Sequence, residues 1–115
     1  MKFYSYDRCG TCKKALKFLQ QNGIECQPID IVSKPPSKKE LKSMLSYYPV
    51  KKLFNTSGQL YRQMSIKDKL PDLTQDDALD LLAKNGKLIK RPFVLGDGFG
   101  LIGFKDVEWQ QVFDS

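Results

Sequence analysis

The fold is decided by residues 2–23, which read KFYSYDRCGTCKKALKFLQQNG. Residues 2–6 are rich in aromatic side chains and predict a short strand. A helix is predicted over 11–22, because apolar residues recur there at 3.6-residue spacing and Asn22-Gly23 supplies a stop signal. The Cys-x-x-Cys motif formed by Cys9 and Cys12 is therefore predicted to lie at the turn from a strand into a helix.

This position of the motif predicts a redox-active pair of thiols. Cys9 would lie just before the helix, where unpaired N–H groups and the positive end of the helix dipole stabilise a thiolate. Arg8, Lys13 and Lys14 add positive charge nearby. Cys12 follows about one helical turn later and can reach back to Cys9. A nucleophile and a resolving thiol are what thiol–disulfide exchange requires, so a Cys9–Cys12 disulfide is expected in the oxidised protein.

Two other interpretations of the cysteines remain open. A Cys-x-x-Cys pair can be half of a structural zinc site, but such a site needs about four ligands and only Cys26 and carboxylates remain, so no metal is expected. The pair can also consist of two small core residues, since free cysteine is often buried. Cys26 itself is expected to be inert packing in a strand.

Composition narrows the function further. The 115 residues are 41% hydrophobic and 28% charged, which predicts one globular domain over residues 1–115. No apolar run reaches about 20 residues and no signal segment opens the sequence, so a cytoplasmic protein without membrane contact is expected. The absence of histidine excludes Ser-His and Cys-His catalysis and imidazole metal ligands.

The net charge of +6 is spread over lysine and arginine pairs. It contains no block of like charges typical of nucleic-acid binding, and no direct contact with nucleic acid is expected. A solvated surface, an anionic substrate or an acidic protein partner would each explain this charge.

The rest of the sequence predicts the remaining elements of an α/β fold. In chain order they are a strand over 24–32 interrupted by Pro28, a helix that begins at the capping box Ser37-Lys38-Lys39-Glu40, a short helix over 66–70, a helix capped by Thr74, strands over 88–95 and 101–104 around the turn Gly96-Asp97-Gly98, and a last helix capped by Asp106. The last helix is expected to bury Val107, Trp109, Val112 and Phe113. The order βαβ, helical insertion (about 36–86), ββα predicts a mixed sheet of thioredoxin-like architecture.

A second site signal is Lys90-Arg91-Pro92. In a thioredoxin-like fold a cis-proline at the start of the third strand faces the Cys-x-x-Cys motif, so Pro92 is expected to be cis although only about 5–6% of X-Pro bonds are. Arg91 would then border the substrate cleft and hold an oxyanion or stabilise the Cys9 thiolate; the alternative is a surface guanidinium. The catalytic candidates are Cys9, Cys12 and Arg91, and the substrate-binding candidates are Arg8, Gly10, Thr11 and Pro92.

Four segments together resemble the ArsC/Spx family of arsenate-reductase-like proteins. They are CGTCKKA at 9–15, PPSKKEL at 35–41, FNTSG at 54–58 and LIKRP at 88–92. They occur in order and cover essentially the whole chain. The resemblance implies a thioredoxin fold with a helical insertion.

The resemblance also implies two functions. Family arsenate reductases use a single N-terminal cysteine, which is Cys9 here, with three arginines around the oxyanion. Arg91 matches one of them, and Asn55 and Gly103 occupy the other two positions. Arg62 is a further candidate to reach the oxyanion. The Spx-like branch uses Cys-x-x-Cys as a redox switch and binds the C-terminal domain of the RNA polymerase α-subunit. We expect a monomeric arsenate-reductase-like thiol–disulfide oxidoreductase with no bound cofactor, recycled by thioredoxin or by glutaredoxin with glutathione. The alternative is a redox-sensing regulator that binds RNA polymerase.

Overall fold

A mixed sheet forms the centre of the computed structural model, which describes residues 1–114. Within these residues the strands are β1 (Lys2–Ser5), β2 (Pro28–Asp30), β3 (Phe93–Gly96) and β4 (Phe99–Ile102). Their order across the sheet is β2-β1-β3-β4. β2 is parallel to β1, whereas β3 is antiparallel to both β1 and β4. The predicted mixed sheet and its βαβ…ββα order are confirmed.

The strand limits differ from those predicted. β2 covers only Pro28–Asp30 instead of 24–32, and Pro28 begins this strand rather than interrupting it. A proline fits there because β2 lies at the edge of the sheet, where a missing N–H removes no ladder bond on the open side. β3 begins only at Phe93, and β4 runs over Phe99–Ile102 instead of 101–104.

The helices occupy the two faces of the sheet. Within residues 1–114 they are α1 (Gly10–Gln21), α2 (Lys38–Met44), α3 (Gln59–Gln63), α4 (Ile66–Lys69), α5 (Gln75–Lys84) and α6 (Asp106–Phe113), with 3-10 turns at Val50–Leu53, Leu70–Asp72 and Gly86–Leu88. None of the helices in this part of the chain has the length and apolar character needed to span a membrane.

The predicted helix caps were mostly right. Ser37 and Glu40 form the capping box of α2 in both directions, and the Thr74 side chain accepts the N–H of Asp77 at the start of α5. The prediction for α6 was wrong by one residue, because Lys105 is the cap and Asp106 is the first helical residue. An acidic side chain in that first turn still interacts favourably with the helix dipole.

Two apolar clusters lie on opposite faces of the sheet. Phe3 and Tyr4 are neighbours in β1 and point to opposite faces, as strand geometry requires. Phe3 packs with α1 and with Trp109 of α6, whereas Tyr4 packs with the helices between β2 and β3. The prediction that Val107 is buried was wrong, because its side chain is 66% exposed.

The strand pairing brings three chain segments together at one end of the sheet, where strands begin or end. Tyr4 pairs with Phe93, which in turn pairs with Ile102. The carboxyl end of β1, the start of β3 and the end of β4 therefore lie side by side. The Cys-x-x-Cys turn, the Arg91-Pro92 segment and the residues after β4 follow directly from these strand ends.

Candidate active site

A cleft of about 420 Å³ opens at this end of the sheet, next to the carboxyl end of β1. The residues that line it are Cys9, Thr11, Asn55, Ser57, Lys90, Arg91, Ile102, Gly103, Phe104 and Lys105. They come from the turn after β1, the segment 55–57 of the helical insertion, the residues before β3 and the end of β4 with its following loop. None of these lining residues, all within the described part of the chain, is acidic.

Cys9 is the only cysteine among the described cleft-lining residues, and it is the N-cap of α1. Its backbone N–H donates to the Tyr6 carbonyl at 3.0 Å, which closes the turn out of β1. Its Sγ accepts the backbone N–H of Cys12 at 3.2 Å. The sulfur thus occupies the position of a capping oxygen, with a donor aimed at it and the positive end of the helix dipole behind it.

Cys12 lies one turn further along α1 and is only 1% exposed. Burial is the main reason why the pKa of its thiol is raised to about 11, and its hydrogen bond with Cys9 raises it further. Cys12 is therefore a neutral thiol at pH 7. Both cysteines are free thiols in this structure, and the disulfide between them stays a prediction.

Arg91 faces the same cleft from the segment before β3. The Arg91–Pro92 peptide bond is cis, as predicted. The guanidinium carbon lies 4.5 Å from the centroid of the Tyr6 ring, a cation–π contact. Its Nη1 is buried and has no hydrogen-bond partner. Because a buried charged donor without an acceptor is costly, this atom is suited to hold an oxygen of an anionic ligand.

A second, smaller cavity of about 270 Å³ lies beside the cleft. Arg91 and Asn55 line both spaces, and the second one is otherwise bordered by Tyr6, Gly58, Gln59, Leu60, Gln63 and Lys87. Arg91 therefore borders both spaces.

The structure brings some of the predicted site residues together and separates others. Cys9, Thr11 and Arg91 line the cleft. Arg8 and Gly10 are exposed and lie outside its lining, whereas Cys12 and Pro92 are buried.

Other cleft residues were not singled out as site residues from the sequence. Asn55 and Gly103, which the resemblance placed at two arginine positions, do line the cleft. Lys90 was named only within the signal Lys90-Arg91-Pro92 and was given no role, and Ser57 and Lys105 were missed as site residues. The sequence did contain a signal for Lys105. The second strand of the hairpin is antiparallel to β3, so it must end at the same end of the sheet as the Cys-x-x-Cys turn, and Lys105 follows this strand.

The third cysteine lies away from this site. Cys26 is partly buried against the cluster that contains Phe3, and burial raises the pKa of its thiol. Within residues 1–114 no group of three or more cysteine, aspartate or glutamate side chains is arranged to hold a metal ion.

Known proteins share this fold and part of this sequence. A structure from Bacteroides fragilis, described as related to the ArsC family, has a TM-score of 0.90 and 46% identity, and the match covers 97% of this chain and 98% of that one. A structure from Streptococcus mutans UA159, described as a possible arsenate reductase, has a TM-score of 0.84 and 41% identity, with 90% of each chain covered.

Regulators are related as well. The global transcriptional regulator Spx of Streptococcus pyogenes serotype M1 is 29% identical over 102 residues, which cover 87% of this chain and 75% of the regulator. The sequence profile of the ArsC family matches residues 4–112, nearly the full length. This chain therefore belongs to the ArsC family.

Proposed function

We propose that this protein is an arsenate-reductase-like thiol–disulfide oxidoreductase in which Cys9 attacks and Cys12 resolves. The observation that carries the proposal is the difference between the two thiols. Cys9 opens to a cleft without acidic residues, whereas Cys12 is buried one turn behind it with a raised pKa. An accessible attacking sulfur and a protected second thiol are the two parts of an exchange reaction.

The reaction has two steps. First, the Cys9 thiolate bonds to one sulfur of a substrate disulfide, and the other substrate sulfur leaves as a thiolate and takes a proton from solvent. Then Cys12 loses its proton to solvent and bonds to Cys9 Sγ. The bond between Cys9 and the substrate breaks, and the substrate sulfur leaves as a thiolate that takes a proton from solvent. The substrate disulfide gains two electrons and the protein loses two, which thioredoxin, or glutaredoxin with glutathione, returns.

The cations of the cleft support this chemistry. Lys90, Arg91 and Lys105 line it together with Cys9. Their positive charge stabilises the thiolates that form and leave in each step. Because Arg91 Nη1 lacks an acceptor, we expect it to bind an anionic group of the substrate beside the reacting sulfurs.

A redox titration of the purified protein tests the proposal. Reduced protein is equilibrated with glutathione buffers, alkylated and weighed intact. We expect two thiols to disappear together in the wild type and in Cys26→Ser, the matched control.

Activity of the cysteine variants is the second test. Cys9→Ser should lose disulfide reductase activity, and Cys12→Ser should accumulate mixed disulfides. Full activity in Cys9→Ser would refute the mechanism. A single glutathione on Cys9 without an internal disulfide would return the single-cysteine mechanism, with arsenate as the next substrate to test.

A second candidate function is a redox-sensing regulator that binds RNA polymerase. The relationship to the regulator Spx favours it, together with the Cys-x-x-Cys motif that the Spx-like branch uses as a switch. A pull-down with the RNA polymerase α-subunit, run with oxidised and with reduced protein, separates the two functions. Absence of binding in both states would count against the regulator.

A further inference from the structure

Four exposed cations lie on the solvent side of α1 and at the residue before its cap. This basic face consists of Arg8, Lys13, Lys14 and Lys17, all of which are exposed. At 100° per residue, the three lysines fall within an arc of about 100° on the side opposite the buried residues of α1. They therefore point into solvent as one stripe.

No ion pair among residues 1–114 balances the charge of the basic face. α1 has no acidic residue in its first turn, whereas α2, α5 and α6 each have at least one. The ion pairs of the described residues involve only Lys2 and Lys38 as cations, so none of the four basic-face residues is paired. Lys13 and Lys17 are four residues apart, a spacing at which like charges destabilise a helix. A negatively charged partner would relieve this repulsion.

The basic face is also next to the reacting sulfur. Arg8 and the start of α1 flank Cys9 directly in the chain, and Lys90 and Lys105 line the cleft into which Cys9 opens. A chain segment lying along α1 would therefore have its own cysteine close to Cys9. The occupant that fits is a protein segment with acidic side chains on either side of a disulfide-bonded cysteine.

We propose that the basic face docks such acidic segments and so selects the protein disulfides that Cys9 reduces. This proposal rests on the proposed function. Like other surfaces that attract by charge, the basic face would act mainly on the rate of encounter, and this action would weaken with salt.

The test uses three peptide disulfides of equal length whose cysteine is flanked by Glu, Gln or Lys, with bis(2-hydroxyethyl) disulfide as a small neutral probe. Reduced full-length protein is mixed with each, and the rate of thiol release is measured at low and at high salt. We expect the Glu peptide to react about tenfold faster than the Lys peptide at low salt, and this preference to collapse at about 1 M salt, where screening is nearly complete.

The variant K13Q/K14Q/K17Q should lose most of this preference. The control K42Q/K52Q/K84Q removes three exposed lysines from other elements, with the same change in net charge, and should keep it. Equal rates for the three peptides, or a full preference in K13Q/K14Q/K17Q, would overturn the docking proposal. The surface would be assigned to nucleic acid, and the docking proposal overturned, by a second combination of results. In it the three peptides react at equal rates, and the wild type binds a labelled oligonucleotide that K13Q/K14Q/K17Q does not bind. Failure to reduce even the small neutral disulfide would instead refute the proposed function.

Discussion

The burial of Cys12 predicts that ionisation of its thiol limits the second step of the exchange. Burial, and then the hydrogen bond to Cys9, raise the pKa of this thiol from 9.0 to about 11. At pH 7 the thiolate fraction falls from about 1% to about 0.01%, a hundredfold loss. A more basic thiolate is a better nucleophile, which recovers about tenfold over two pKa units. We expect Cys12 to attack about tenfold more slowly at pH 7 than an exposed thiol in the same position.

Reaction with 5,5′-dithiobis(2-nitrobenzoate) measures this step. A Cys26→Ser background removes the third thiol. Attack by Cys9 releases one coloured thiolate, and the attack of Cys12 on the mixed disulfide releases a second. Below its pKa a thiol gains tenfold in thiolate per pH unit, so the rate of the second phase should rise about tenfold per unit from pH 7 to 9 and continue to rise beyond. Burial is the largest cause of the shift. We expect this burial to persist after Cys9 has reacted.

The control is the double variant Cys12→Ser, Cys26→Ser, which should show the first phase alone. A second phase in this variant would mean that Cys12 is not the resolving thiol. A rate that levels off at or below pH 9 would show that the pKa of Cys12 is not raised, and the reasoning from burial would be refuted.

Three further predictions concern stability, each measured by denaturant unfolding. Trp109→Ala should cost about 3–5 kcal/mol, because Trp109 of α6 is 1% exposed in the core that α6 forms with α1 and the sheet; a cost below about 1 kcal/mol would contradict this packing. Gly86→Ala should cost about 1–3 kcal/mol or more, because its Cβ would collide with the backbone carbonyl of Ile31. For Glu40, burial opposes ionisation, but hydrogen bonds, first that from the Ser37 N–H, hold its pKa below the usual range. A carboxyl group whose pKa is lowered in the folded protein contributes stability above about pH 4.5, and this contribution is lost as the pH falls through the folded pKa. Glu40→Gln should therefore lose less stability in acid than the wild type does. An equal loss of stability in acid would contradict this prediction.

Local signals made much of the fold predictable from the sequence. The capping box at Ser37 and the start of α5 at Thr74 were found because side-chain caps act over three residues. Strand limits were harder to predict, since they depend on partners far away in the chain. Ile89 was predicted inside a strand, but it forms an isolated antiparallel bridge with Phe54 in the helical insertion. Nothing in the local sequence indicates that partner.

The same bridge explains why only part of the cleft was predicted. The Asn55 N–H donates to the Leu88 carbonyl, and the Lys90 N–H donates to the Leu53 carbonyl, both at 2.7 Å. These bonds hold the segment that contains Asn55 and Ser57 beside Arg91. Cys9 and Arg91 follow from the motif and the fold, but the segment 55–57 reaches them only through tertiary pairing.

The backbone at Gly103 bears on which substrate the cleft suits. Gly103 has a φ of +66°, a conformation that L side chains rarely adopt, and a Cβ there would lie 3.0 Å from Lys90 Cε. A larger side chain at this position would therefore strain the backbone and displace Lys90.

The cations that line this cleft are two lysines, Lys90 and Lys105, and one arginine, Arg91. Lysine binds an anion as a point charge and lacks the fork with which arginine grips a tetrahedral oxyanion. Such a set stabilises charge on a moving thiolate without requiring fixed bidentate geometry. These cations therefore support the disulfide exchange that we propose for Cys9.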